Sequence, residues 1–190
     1  MPGWWWSSTT GDHVVYESWL ERHHLMELDR QPHVVGISGQ PFALSWQGEV
    51  RRHSHVPDLF VRFADGSALV IDCRPVERAD EQFHRVAAVT RAVCEEVGWS
   101  YQLAGEPSAT RAANLRWLAG YRRPSGYDEQ TTRRMIELAT HPVPLRDVAT
   151  GTGDPIAMLP CVFQLLWTGA LRCDLEQPLT DHSSVWAGRG

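Results

Sequence analysis

The chain has 190 residues, 43% of them hydrophobic, and a formal charge of −5. That length gives room for one average domain and a small second one, each with an ordinary apolar core. The acidic balance excludes indiscriminate nucleic-acid binding through overall charge, and no run approaches the ~20 apolar residues that cross a bilayer. Every one of the 18 basic residues is Arg. Cys73, Cys94, Cys161 and Cys173 have no CxxC spacing, which gives no zinc signature and suits a reducing, cytoplasmic setting.

Residues 1–12, with Trp4-Trp5-Trp6, read as a flexible tail or surface anchor. Residues 13–29 read as a helix, with Tyr16, Trp19, Leu20, His23 and Met26 on one face and Glu17 and Glu21 beside it. Short strands follow over 34–38 and 41–46, on either side of Gly39 and Gln40, and then the basic run Arg51-Arg52-His53. Leu59–Phe63 and Ala68–Cys73 alternate and are joined across Asp65-Gly66, as in a β-hairpin. A helix over 78–97 ends at Gly98, a strand covers 99–103, and a further helix covers 110–118.

Pro124-Ser125-Gly126 marks a polar break, so 122–126 reads as a linker between a domain at 13–121 and another at 127–190. The second domain reads as helices over 127–140 and 145–150 and a third from Asp154-Pro155 to Trp167. Two wing strands, 171–175 and 184–186, complete a winged helix. The fold class is α/β (α+β): a central mixed sheet flanked by helices, then the small winged-helix domain.

The chemistry concentrates in His55-Val56-Pro57-Asp58 and, fourteen residues after Asp58, Asp72-Cys73-Arg74. Two hairpin registers are possible. A three-residue loop with Gly66 left-handed pairs Phe63 with Ser67, Val61 with Leu69 and Leu59 with Ile71, which gathers one apolar face. Asp58 then stands across from Asp72, roughly 5 Å between Cβ atoms. Carboxylates that close repel unless a cation lies between them, and oxygen ligands suit Mg²⁺ or Mn²⁺. Glu17 is the expected third acid, with Glu21 as its competitor. Arg74 suits charge stabilisation but is a poor general base. His55 is either a phosphate contact or an ordinary surface histidine. Arg51, Arg52, Arg122 and Arg123 are the candidate DNA contacts, and His23, His24 and His33 are expected to be structural.

The order of these elements and motifs resembles the TnsA-like endonuclease subunits of heteromeric transposases. The resemblance covers nearly the whole chain, 13–120 as catalytic domain and 127–187 as winged helix. It is carried most specifically by Val15-Tyr16-Glu17-Ser18-Trp19-Leu20-Glu21 and Ser54-His55-Val56-Pro57-Asp58. It implies a restriction-endonuclease-like fold of the PD-(D/E)xK type that binds Mg²⁺ through Glu17, Asp58 and Asp72. Such a subunit cuts one strand of double-stranded DNA while a partner transposase cuts the other. Arg74 stands where that family carries a catalytic Lys, and Asp72 where it carries Glu or Gln. Two other readings stay open: an inactive nuclease-fold adaptor, and a winged-helix DNA-binding regulator. Residues 127–190 carry five Arg against eight Asp or Glu. With a third helix that is mostly apolar, this domain is expected to dock a protein, a transposase subunit or a regulatory ATPase, more than to read DNA.

Overall fold

A computed structural model describes residues 2–47, 52–123 and 126–188. The chain forms two compact units, Met1–Asp29 with His33–Glu106, and Arg30–Pro32 with Pro107–Gly190. It is a mixed α/β protein, and no described helix is long and apolar enough to cross a membrane.

The first unit begins with an antiparallel hairpin, β1 (Gly3–Trp6) with β2 (His13–Tyr16). Residues 1–12 are therefore not a loose tail, and 13–16 are strand, not the first turn of a helix. Trp4 is 69% exposed and Trp5 4%, the alternation of a strand with one buried face. Helix α1 (Trp19–Asp29) starts only after Ser18, whose Oγ accepts the Glu21 amide at 3.1 Å. The Glu21 carboxylate reaches back to the Glu17 amide at 2.7 Å, a variant of the Ser-x-x-Glu capping box.

The far end of α1 closes the hairpin. Asp29 is buried, and its carboxylate accepts from Trp5 Nε1, Ser7 Oγ and the Ser8 and Thr9 amides at 2.6–3.1 Å. Four donors around one carboxylate compensate its burial.

The central sheet is four-stranded in the order β3 (Val34–Gly39), β6 (Leu59–Phe63), β7 (Ala68–Cys73), β8 (Ser100–Ala104). The first two pairings are antiparallel and β7–β8 is parallel, so the sheet is mixed. A separate hairpin, β4 (Leu44–Gln47) with β5 (Arg52–His55), lies between β3 and β6 in sequence. The β6–β7 register is the three-residue-loop one: Leu59 pairs with Ile71 and Val61 with Leu69, and Gly66 sits at φ 85°. Leu59, Val61 and Val70 are fully buried.

Parallel neighbours need a crossover, and α2 (Glu81–Glu96) supplies it. It starts three residues later than 78, because Asp80 caps the Phe83 amide at 2.7 Å and residues 76–78 form a separate 3-10 turn.

Gly39 has a packing reason. A Cβ there would collide with the Val15 carbonyl oxygen of β2. Because backbone cannot yield as a side-chain tip does, Gly39→Ala is expected to lower unfolding free energy by about 2–4 kcal/mol in a urea titration. A loss under about 0.5 kcal/mol would mean that β2 and β3 separate freely.

The second unit begins at Pro107 and not at the 122–126 break. Helix α3 (Ala109–Leu118) belongs to it: Leu115 and Leu118 are fully buried, and Asn114 Nδ2 donates to Leu175 O at 2.9 Å and Gln177 O at 2.8 Å. Next come α4 (Glu129–Leu138), β9 (Val143–Pro144), α5 (Leu145–Thr150) and α6 (Pro155–Thr168), followed by β10 (Leu171–Cys173) and β11 (Ser184–Ala187). The three strands form one antiparallel sheet in the order β10-β11-β9. Asp154 caps α6 and Gly169, at φ 77°, ends it. Cys161, Val162, Leu165, Leu166 and Trp167 are buried. The apolar run of α6 is thus core of its own unit, and needs no partner to explain it.

Candidate active site

Where β5 runs out, where β7 ends and where α1 and α2 begin, the first unit has a cleft of about 650 Å³. Glu17, Glu21, His55, Asp58, Asp72 and Arg74 line it. The hairpin register brings Asp58 beside Asp72, and the start of α1 adds Glu21.

The two candidate acids on α1 separate clearly. Glu21 is 6% exposed, whereas Glu17 precedes the helix and is exposed at the cleft edge. Glu21 acts on Asp58. The Asp58 carboxyl is pushed up from 3.8 to about 6, first by burial, with a lowering from the Cys73 amide it accepts and further raising by Glu21 and Asp72. The same burial and the three carboxylates push the Cys73 thiol up.

Each acid is tied to the fold. Asp58 Oδ2 accepts the Cys73 amide at 2.6 Å and Glu21 Oε2 the Glu17 amide at 2.7 Å, while the second oxygen of each takes no hydrogen bond from the described residues. Asp72, 1% exposed, is held by His55 Nε2 at 3.0 Å from both oxygens and by the Tyr101 hydroxyl at 2.7 Å from Oδ2. His55 is therefore not an ordinary exposed histidine: its side chain is 18% exposed and its Nε2 is committed to Asp72.

Arg74 lines the same cleft but is turned toward α2. Its Nε donates to Arg78 O at 3.1 Å, and its guanidinium lies 5.0 Å from the Phe83 ring centre. Among the DNA candidates, Arg52 is exposed on β5 and Arg51 lies outside the described residues. Arg122 and Arg123 belong to the second unit, where Arg122 Nη1 donates to Ala119 O at 2.8 Å. His24 is structural: Nε2 donates to Gly105 O at 2.9 Å, and burial lowers its pKa. His33 stacks on Phe63.

Three carboxylates are a donor set for a hard, oxygen-loving divalent cation. As the side chains stand, no three His, Cys, Asp or Glu among the described residues form a group that could hold a metal ion. The oxygen chemistry of the acids fits Mg²⁺ or Mn²⁺, and the oxygens of Asp58 and Glu21 that take no hydrogen bond from the described residues are the ones open to a cation.

No protein family model matches this chain, and no match to it was found among curated proteins.

Proposed function

We propose that the protein is a Mg²⁺- or Mn²⁺-dependent endonuclease acting on double-stranded DNA, with a restriction-endonuclease-like first unit and a winged-helix second unit. The observation that carries this is the trio Glu21, Asp58 and Asp72, each carboxylate anchored by hydrogen bonds around one cleft. Their mutual repulsion is offset only in part, by the hydrogen-bond donors on each carboxylate and by His55, and a cation between them would relieve it.

In that reading Asp58, Asp72 and Glu21 hold the cation, and Glu17 at the cleft edge orients water. A cation held there supplies charge neutralisation at the scissile phosphate and acidification of a water. The Arg74 guanidinium, always protonated, takes no proton; its Nη groups contact the phosphate and stabilise charge as the strand breaks. Arg52 and the Arg51 beside it contact the duplex backbone. The second unit docks the partner, a transposase subunit or a regulatory ATPase. The exposed Trp117 and Ile156 support a protein partner.

The inactive-adaptor reading is favoured by one observation, the Arg74 side chain drawn back onto Arg78 and Phe83. Nicking of supercoiled plasmid with Mg²⁺ or Mn²⁺, with and without the partner, decides between them. Asp58→Ala and Glu21→Ala are expected to lower nicking by about 100-fold or more, and Glu17→Ala by about tenfold or less. No nicking by the wild type under any of these conditions, together with no Mn²⁺ binding, would leave the adaptor.

A further inference from the structure

Two residues outside the acidic trio end on Asp72, and they come from different strands. His55 closes β5, before Val56-Pro57. Tyr101 lies on β8, the parallel neighbour of the strand that carries Asp72. The Arg91 guanidinium of α2 stands 5.5 Å from the Tyr101 ring centre and backs it.

A carboxylate offers about four acceptor sites, two on each oxygen. Oδ2 takes the Tyr101 hydroxyl at 2.7 Å and a share of the His55 Nε2 proton at 3.0 Å, which fills it. From the described residues Oδ1 takes only the other share of the His55 proton, at 3.0 Å. One acceptor site of Asp72 is left, and it is on Oδ1.

We infer that His55 and Tyr101 are positioning residues that fix Asp72 in one orientation and present Oδ1 as its single metal-ligating oxygen. This rests on the metal-site reading above. Asp72 is one methylene shorter than Glu and has less freedom to search for a ligand position. Holding it from two sides offsets that, because a carboxylate already oriented loses no rotamer freedom on ligation. A purely structural account is the alternative: two donors that do no more than satisfy a buried carboxylate.

Titration calorimetry with Mn²⁺ alone separates these accounts, with circular dichroism confirming that each variant is folded. Tyr101→Phe and His55→Ala are each expected to weaken Mn²⁺ binding by about 10–100-fold. His55→Gln, which returns a donor at comparable reach, is expected to recover most of that loss. Mn²⁺ affinity within about twofold of wild type in folded Tyr101→Phe and His55→Ala overturns the inference while leaving the metal site standing. Tighter binding in His55→Ala also overturns it, since His55 would then be a competitor for Asp72. If His55→Ala does not fold, Tyr101→Phe, which removes a single hydroxyl, carries the test. Absence of Mn²⁺ binding by the wild type overturns this inference and the metal reading together.

Discussion

Asp58→Asn is expected to give a protein that is more stable than the wild type at pH 7 and unable to bind Mn²⁺. The variant keeps an acceptor for the Cys73 amide but loses a charge that the fold opposes. The Asp58 carboxyl moves from 3.8 in the unfolded chain to about 6 in the fold. A group raised in this way contributes stability that is complete below about pH 4 and lost as pH rises through about 6. The difference corresponds to about 3 kcal/mol for a fully buried group and, discounted for partial solvent access, to about 1–2 kcal/mol here. Urea midpoints in chelator should therefore favour the Asp58→Asn variant by that amount at pH 7, and the gap should close near pH 4. Mn²⁺ affinity should fall by about 100-fold or more. A gap that is independent of pH would show that Asp58 is not held against its neighbours' charge, and the case for a site would lose its electrostatic support.

Asp29→Ala is expected to be the most damaging single change outside the cleft. It would strand the Trp5 indole N–H, the Ser7 hydroxyl and two backbone amides in or beside the buried interior. Each stranded donor costs about 1–3 kcal/mol, and because they share one acceptor the losses do not add in full. About 3–5 kcal/mol of unfolding free energy should disappear, with new proteolytic cleavage between residues 7 and 12. Asp29→Asn, keeping one acceptor oxygen, should fall between that variant and the wild type. A loss below about 1 kcal/mol in Asp29→Ala would mean that the hairpin does not depend on its clamp.

What could be read from the sequence was what is specified locally. The β6–β7 register followed from one rule: Leu59, Val61, Leu69 and Ile71 must share a face, and only a left-handed Gly66 lets them. That placed Asp58 near Asp72 before any fold was known. The start of the chain misled for an equally local reason. Tyr16, Trp19, Leu20, His23 and Met26 fit a helical face, yet Gly11-Asp12 ahead of His13-Val14-Val15-Tyr16 is a turn-and-strand signal, and Ser18-x-x-Glu21 marks the true helix start. Taking that cap seriously would have put Glu17 outside the helix and favoured Glu21. Pro124-Ser125-Gly126 attracted the domain boundary, whereas the burial of Leu115 and Leu118 assigns α3 to the second unit. Tyr101 could not have been found. It reaches Asp72 through a parallel pairing across a 16-residue helix, and no nearby pattern records such a pairing.

The Asp29 clamp also bears on the order in which this chain gains structure. The side-chain bonds that close it link residues only 20 to 24 positions apart, whereas the bond that seats Tyr101 on Asp72 spans 29 and must wait for β8. Their closure costs differ by only about 0.3 kcal/mol, so what sets the clamp apart is that all its partners are present once residue 29 is made. The pairs that anchor the cleft are closer still in sequence, 15 residues for Asp58 with Cys73 and 17 for His55 with Asp72, so both ends of the first unit can order locally before β8 brings Tyr101.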